Sequence, residues 1–258
     1  MLDRSAAALV LGAALWPIEV SAQSAADHCG EDAMIVFDGS GSMSKVGSSA
    51  EPRIVIARRA VRVAVPEIAK GRRLGLVVYG SGEDGNCASV DLRFPPQPDA
   101  AERIIDEVEA LEPAGDTPLT AAVEEATEAL QGRGGTVLLV TDGKETCRQR
   151  PCELAARLAR QAPNVTVHVV GFEVRSSFFS WDAHYGAGPG EARCLADATG
   201  GRYIEAETAE ELADAIRDAL GCRHIALIAP SRARSVALGR EPWASRSRPR
   251  RRARAGTR

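Results

Sequence analysis

Five short apolar runs, separated by segments of helical periodicity, constrain the fold of this chain more than any other feature. Several of the runs are unbroken stretches of Val, Leu and Ile, which is typical of strands buried on both faces. Strands that alternate with helices predict an α/β fold: a doubly wound, mostly parallel sheet with helices on both faces. The predicted strands are 33–37, 74–79, 136–140, 165–170 and 202–205, and the predicted helices are 51–65, 99–111, 120–130, 151–162, 190–200 and 208–220.

A sixth strand-like segment differs from the others. Residues 88–94 alternate between apolar and polar side chains and follow 74–79 after a Gly-rich, acidic loop. This pattern predicts a hairpin whose second strand is antiparallel and lies at the edge of the sheet. At the helix starts, Asp99 predicts an N-cap, and Thr208 with Glu211 predicts a capping box.

Domain limits follow from the two ends of the 258-residue chain. Residues 1–22 have a basic residue, about a dozen apolar residues and a small-residue cleavage pattern, which predict a signal peptide. The apolar stretch is shorter than the roughly 20 residues that a membrane span needs. The domain itself is predicted over 30–222, and 223–258 lacks periodicity and is predicted to be a disordered tail. The chain is therefore expected to be exported, to the periplasm or outside a bacterial cell.

Charge is distributed unevenly along the chain. The tail has 11 Arg and one acidic residue, a charge of +10, whereas residues 23–222 have a charge of −12. An acidic domain repels phosphate, which excludes nucleic acid as a partner of the main domain. The basic tail has two interpretations: a solvated segment, or contact with an anionic surface such as lipid headgroups or polysaccharide.

Six cysteines and four scattered histidines occur without any CxxC pair, which argues against a structural zinc site. An even number of cysteines in an exported chain favours disulfides. Cys147 and Cys152 enclose a short loop and are the predicted pair. Cys29 and Cys222 flank the domain and would join its two ends, which leaves Cys87 and Cys194 without an assigned partner.

Polar oxygens follow the strands at one predicted edge of the sheet. The stretch "DGSGS" places Asp38, Ser40 and Ser42 after the first strand, Thr117 precedes a helix, and Asp142 follows the strand 136–140. The carboxyl ends of parallel strands meet at one edge, so these five residues, called here the oxygen cluster, are expected to surround one ion. Hard oxygens suit Mg²⁺, Ca²⁺ or Mn²⁺, with Mg²⁺ favoured by geometry and abundance. The alternative for "DGSGS" alone is a Gly/Ser turn closed by an Asx hydrogen bond.

The order of these motifs resembles the von Willebrand factor type A domains. Their metal-ion-dependent adhesion site has D-x-S-x-S, then Thr, then Asp, on three loops above a doubly wound sheet. Here "DGSGS", "GDTPL" and "VTDG" match in order, and the resemblance covers roughly 30–220. The segments "TDGKETC…PC" and "CLADATGGRYIEA" are similar to an exported bacterial branch of the family, which supports the Cys147–Cys152 pair.

The resemblance implies a mechanism of binding. In the family both Ser hydroxyls usually bind the ion directly, the Thr binds directly or through water, and the acids often act through water. The open position would take an Asp or Glu carboxylate from a protein partner. The expected function is thus that of an exported, metal-dependent binding or adhesion module and not of an enzyme. Asp116 is either an outer neighbour of the ion or an obstacle to acidic ligands. A Cys29–Cys222 bond would oppose a ligand-driven shift of the last helix.

The alternative from another class is a metal-dependent, phosphatase-like hydrolase that uses the same carboxylates. The sequence contains neither G-x-S-x-G nor a phosphate-binding GxxxxGK[ST] motif. A haloacid dehalogenase-type phosphatase needs a second Asp two residues after the first, and Ser40 occupies that position. His28, His168, His184 and His224 form no evident acid–base set, and His168 is expected to be structural because it lies in a strand.

Overall fold

The computed structural model of the chain describes residues 30–47, 49–82, 87–174 and 192–221. The predictions of a signal peptide over 1–22, of a disordered basic tail over 223–258 and of a Cys29–Cys222 bond lie outside these residues. Within them, no helix is both long and apolar enough to cross a bilayer.

The described strands form one sheet in the order β3-β2-β1-β4-β5-β6. The β2–β3 pair is antiparallel, and the four other pairs are parallel. The predicted fold class, including the antiparallel strand at the edge, is therefore confirmed. The strands are β1 Ala33–Asp38, β2 Leu74–Tyr79, β3 Val90–Gln97, β4 Gly135–Thr141, β5 Val165–Phe172 and β6 Tyr203–Ala206.

The helices are amphipathic and cover both faces of the sheet. Residues of α1, α2 and α6 form one apolar core with the strands, and residues of α3, α4 and α5 form the other. Strand β1 contributes alternately to the two cores, Ala33, Ile35 and Phe37 to the first and Met34 and Val36 to the second. The helices are α1 Arg53–Ile68, α2 Ala101–Glu109, α3 Leu119–Ala129, α4 Pro151–Gln161, α5 Arg193–Thr199 and α6 Ala209–Leu220, and a 3-10 turn spans Gly41–Ser44.

Of the two N-caps predicted from the sequence, the structure contains one. The Thr208 side chain accepts a hydrogen bond from the Glu211 amide at 3.1 Å, which is one half of a capping box. The Glu211 carboxylate accepts from the Glu207 amide at 2.8 Å, one residue before the position that the full box would use. Asp99 does not cap α2: its backbone is left-handed, with φ of 53°, and the helix begins after Ala100 without a side-chain cap. The sharp turn from β3 into α2 uses Asp99 for its backbone conformation, which Asp tolerates better than most residues.

The disulfides correct the predicted Cys147–Cys152 pair. Cys87 bonds to Cys147, and Cys152 bonds to Cys194, with Cα separations of 5.6 Å and 5.3 Å. Cys152 lies in the first turn of α4, which packs against α5, whereas Cys147 lies in the preceding loop, beside the β2–β3 connection. The start of α4 turns the chain between the two cysteines, so each meets a partner distant in sequence.

Candidate metal centre

Four of the five residues of the oxygen cluster are joined by hydrogen bonds at the carboxyl edge of the sheet. The Oγ atoms of Ser40 and Ser42 are 3.0 Å apart, and the Ser42 hydroxyl donates to Asp142 Oδ1 at 2.6 Å. Asp38, the last residue of β1, accepts a hydrogen bond from the Ser40 amide at 2.8 Å. Asp38, Ser40 and Asp142 are at most 3% exposed. The cluster therefore brings residues 100 positions apart into one part-buried contact.

The acceptor of each hydroxyl proton in the cluster can be assigned. Because Ser42 has a single hydroxyl proton and gives it to Asp142, Ser40 is the donor in the contact between the two hydroxyls. The Thr141 hydroxyl donates to Asp38 Oδ2 at 2.8 Å, so both oxygens of Asp38 accept hydrogen bonds. The Ser oxygens thus keep lone pairs for a further electrophile, while the Asp oxygens are held in place by donors.

Thr117 reaches the same edge through a different set of bonds. It is 4% exposed, its amide donates to Thr146 Oγ1 at 2.7 Å, and its carbonyl accepts from the Thr146 amide at 3.2 Å. The Glu145 carboxylate fixes the neighbouring backbone by accepting from the Thr120 amide and hydroxyl and from the Cys147 amide. The loop that carries Asp142 therefore also positions Thr117, although no described hydrogen bond joins Thr117 to the other four residues of the oxygen cluster.

The loops beneath the cluster touch backbone to backbone. The Gly41 amide donates to the Gly115 carbonyl at 2.9 Å, and the Ala114 amide donates to the Gly39 carbonyl at 3.2 Å. A Cβ at Gly41 would lie 2.7 Å from the Ala114 carbonyl oxygen, a distance that real contacts do not show. Glycine at position 41 is thus required for the loop after β1 and the loop before α3 to approach this closely.

Two charged residues that the sequence did not identify lie next to the cluster. Arg53, the first residue of α1, donates from Nη1 to Asp142 Oδ2 at 3.0 Å and from Nε to Glu173 Oε2 at 3.2 Å. Arg53 is 8% exposed and Glu173, just after β5, is fully buried. Helical spacing places Arg53 at the end of an amphipathic helix, where an Arg is usually solvated, so only the three-dimensional structure identifies this ion pair.

The environment raises the pKa values of two ionisable groups at the cluster. Burial, and then the Asp38 carboxylate, raise the pKa of Asp142 to about 7, despite the opposing effects of Ser42 and Arg53. Burial, and then the charge of Asp38, also raise the pKa of the Tyr79 phenol well above its ordinary value, which keeps this phenol neutral. Without a further cation the two acids of the cluster are therefore under electrostatic strain near neutral pH.

The residues present fit a divalent cation in both chemistry and charge. The five side chains offer only oxygen ligands, and the 3.0 Å between the Ser40 and Ser42 Oγ atoms matches neighbouring ligands of an ion bound at about 2.1 Å. Within the described residues, the buried acids here are Asp38, Asp142 and Glu173, against the single buried guanidinium of Arg53. When all three acids are ionised, this difference of two negative charges equals the charge of one divalent ion.

A second group of ligand-type residues near this edge is not a metal site. The side chains of Cys87, Asp116 and Cys147 lie within 4.8 Å of one another, but the two sulfurs form a disulfide and offer no thiolate. The Asp116 carboxylate lies 3.7 Å from the Cys87 sulfur, and no described hydrogen bond joins it to the oxygen cluster. Asp116 thus lies against the disulfide at the margin of the site.

Comparisons with known proteins agree with this fold. The family model described as von Willebrand factor type A domain matches residues 33–145. The chain is 30% identical over 193 residues to the uncharacterized protein YwmD of Bacillus subtilis, covering 70% of this chain and 81% of that protein.

Solved structures show the same fold at low sequence identity. A von Willebrand factor type A structure from Catenulispora acidiphila has a TM-score of 0.54 and 20% identity, and the match covers 74% of this chain and 42% of that one. Proximal thread matrix protein 1 from the mussel byssus, solved with a zinc-occupied metal-ion-dependent adhesion site, has a TM-score of 0.52 and 16% identity, with 76% and 46% covered. By its fold, its motif order and its relatives, the chain belongs to the von Willebrand factor type A family.

Proposed function

We propose that this protein is an exported binding module in which a divalent cation, Mg²⁺ before Mn²⁺ or Ca²⁺, captures a carboxylate of a protein partner. Asp38, Ser40, Ser42, Thr117 and Asp142 would hold the ion. The observation that carries the proposal is the part-buried contact between the Ser40, Ser42 and Asp142 oxygens, next to buried acids whose charge, when all are ionised, exceeds that of Arg53 by two.

The hydrogen bonds support a site that keeps the cation electrophilic. Both oxygens of Asp38 and both oxygens of Asp142 already accept hydrogen bonds, which favours neutral hydroxyls as the direct ligands. When bound, the cation would supply Lewis acidity and a coordination position for an anionic ligand. The protein's own part is to orient the hydroxyls and to exclude water from beneath them.

The surroundings favour an acidic ligand. Lys45 follows the 3-10 turn, Lys144 lies two residues after Asp142, and both are exposed. Their ammonium groups would attract an approaching carboxylate at long range. Asp116 opposes them from the margin, which would select for partners that reach the ion from the Lys45 and Lys144 side.

Export is supported by covalent chemistry within the described residues. Two disulfides join distant segments, as expected of a protein that matures in an oxidising compartment. The predicted signal peptide over 1–22 agrees with this compartment. We propose the periplasm or the cell exterior as the place of action.

A metal-dependent hydrolase, the alternative function, has less support. The oxygens of Asp38 are both occupied by donors, which does not suit a nucleophile. His168 lies in β5 and accepts a hydrogen bond from the Arg202 amide at 3.0 Å, a structural contact. Turnover of a generic phosphoester that requires Mg²⁺ and is lost in Asp38→Ala would favour the hydrolase over the binding module.

The metal proposal is tested by calorimetric titration of the mature protein with MgCl₂ and MnCl₂. The Ser40→Ala/Ser42→Ala variant should lose measurable binding, because it removes the two hydroxyl ligands. Ser44→Ala is the matched control: it removes a hydroxyl of the same 3-10 turn that donates to the Gly41 carbonyl, and it should bind as the wild type does. Equal affinity of the double variant and the wild type would refute the metal site.

Carboxylate capture is tested separately with immobilised peptides. A pool of Glu-containing peptides should retain the protein in Mg²⁺ and release it in EDTA, whereas the same pool with Gln in place of Glu should not retain it. Retention that survives EDTA would assign binding to a surface other than the cation.

A further inference from the structure

Arg53 and Glu173 form a buried ion pair that shares one carboxylate with the oxygen cluster. The guanidinium contacts Asp142 Oδ2 at 3.0 Å and Glu173 Oε2 at 3.2 Å, and its Nη1 also donates to the Ser42 carbonyl at 3.3 Å. The side chains of Asp142 and Glu173 are fully buried, and that of Arg53 is 10% exposed. A cation bound to the cluster would therefore share Asp142 with a fixed positive charge.

Glu173 is held in place by the backbone around it. Its residue has a left-handed φ of 50°, and its amide donates to the Ala206 carbonyl of β6 at 2.8 Å. Its carboxylate packs against Gly47, where a Cβ would overlap the carboxylate oxygen. Since a left-handed backbone at a non-glycine residue is costly, these contacts maintain the position of Glu173 against strain.

We propose that Arg53 and Glu173 are positioning residues that set the cation affinity of the oxygen cluster in opposite directions. Arg53 lowers the affinity, because it repels the cation and engages Asp142. Glu173 raises the affinity, because it holds Arg53 on its own side and offsets the charge of the guanidinium. This inference rests on the proposed metal site and adds to it the residues that tune its affinity.

Electrostatics at this range is strong enough to matter. At an effective dielectric constant of about 20, charges a few ångströms apart still interact strongly, and much of this interaction is offset by desolvation and relaxation. A net effect of about tenfold in the dissociation constant for each charge removed is therefore a modest expectation. Because the two charges have opposite signs, removing both should largely cancel.

The experiment compares Arg53→Gln, Glu173→Gln and the double variant with the wild type, as mature proteins at pH 8. Calorimetric titration with MgCl₂ should show about tenfold tighter binding for Arg53→Gln and about tenfold weaker binding for Glu173→Gln. The double variant should return to within about threefold of the wild type. Melting temperature in EDTA is the second readout, and Arg53→Gln should lower it most, because two buried acids lose the positive charge that they share.

Arg72→Gln is the matched control for loss of a buried Arg. Arg72 is 6% exposed, and its described partners are the Glu31 and Leu220 carbonyls and the Thr136 hydroxyl. This variant should lower the melting temperature and leave the Mg²⁺ affinity unchanged. Should Arg53→Gln fail to fold, Glu173→Gln and Arg53→Lys still decide. Glu173→Gln must weaken binding, and Arg53→Lys must stay within about threefold of the wild type because the positive charge remains.

The outcomes separate this inference from the proposed function. If the wild type binds neither Mg²⁺ nor Mn²⁺, the proposed function fails. If the wild type binds and both single variants shift the affinity in the same direction, or neither shifts it, the pair only supports the fold and the inference is overturned while the metal site stands.

Discussion

Two buried arginines lie at the two opposite ends of the parallel strands, called here the two edges, and have different partners. Arg72, at the amino ends of the strands, donates to the Glu31 and Leu220 carbonyls and to the Thr136 hydroxyl, all neutral acceptors. Arg53, at the carboxyl ends, donates to the carboxylates of Asp142 and Glu173.

The difference indicates what each edge is built to do. Neutral acceptors satisfy the Arg72 donors and tie α6 and β4 to the chain before β2, so this edge closes the fold. Burial, the largest influence, lowers the pKa of the Arg72 guanidinium, with Glu31 and Asp32 opposing the effect. At the other edge the three buried acids, Asp38, Asp142 and Glu173, carry two more charges than the one of Arg53 when all are ionised. An excess of buried negative charge favours a bound cation, as the proposed function requires.

The largest effect is expected for Asp142→Asn at the charged edge. The variant keeps the size of the side chain and removes one of the two cluster charges, so Mg²⁺ affinity should fall at least about 100-fold. In EDTA the melting temperature should be unchanged or higher, because the repulsion between Asp38 and residue 142 is gone. Asp116→Asn, a half-buried acid outside the cluster, is the control and should stay within about threefold of the wild type. A loss below tenfold in Asp142→Asn would contradict a direct role of this charge.

The two disulfides should differ, like the two arginines, in whether they affect the candidate metal site. Their sequence separations are 60 and 42 residues, so removing either should cost a similar amount, about 2–4 kcal/mol, in the free energy of unfolding. Only Cys87→Ser/Cys147→Ser should also weaken Mg²⁺ binding, because Cys147 lies in the loop that positions Thr117 and Asp142. The measurements are urea unfolding and calorimetric titration. Weaker Mg²⁺ binding in Cys152→Ser/Cys194→Ser as well would show that the site responds to global stability.

The neutral edge should respond in stability alone. Arg72→Gln leaves buried acceptors without a donor and should lower the free energy of unfolding by about 1–3 kcal/mol, measured with urea in EDTA. Adding saturating Mg²⁺ should stabilise this variant by as much as it stabilises the wild type. A smaller increment would show that the two edges are coupled.

The charged edge should also respond to pH. In the metal-free domain the pKa of Asp142 is raised from 3.8 to about 7, so the folded state binds more protons than the unfolded state in this window. Metal-free stability should therefore fall as pH rises from about 4 through 7, the sign expected for an acid with a raised pKa.

Below pH 7 a cation must also displace this proton, so Mg²⁺ affinity should decrease about tenfold between pH 8 and pH 6. Melting curves in EDTA and calorimetry across this range measure the two trends, and both should flatten in Asp142→Asn. A Mg²⁺ affinity that is independent of pH would show that Mg²⁺ binding does not displace a proton from Asp142.

The sheet was predictable because its strands are unbroken apolar runs, and β1, β2 and β4 lie within one residue of their predicted bounds at each end. Strand β3 was predicted over 88–94 but extends to Gln97, through Pro95 and Pro96. Proline argues against a strand in sequence, yet an edge strand tolerates it because one side of its backbone has no partner strand.

The residues of the candidate site were predictable where they stand in a sequence motif. They were not predictable where distant residues meet only in the folded structure. Asp38, Ser40 and Ser42 are adjacent in sequence, and fold logic brings Asp142 to them. Arg53 and Glu173 are 120 residues apart, and neither stands in a motif. The short loop between Cys147 and Cys152 suggested a bond, but the start of α4 directs Cys152 toward α5 instead.

The strand order has a consequence for the lifetime of the site. Strand β1, which ends in Asp38, and β4, which precedes Asp142, are the two central strands of the sheet. Local opening begins at sheet edges, here β3 and β6, where fewer hydrogen bonds must break. Amide hydrogens of β1 and β4 should therefore exchange only in the rarest openings of the domain, and a captured ligand would be released by its own dissociation long before the strands that bear the site come apart.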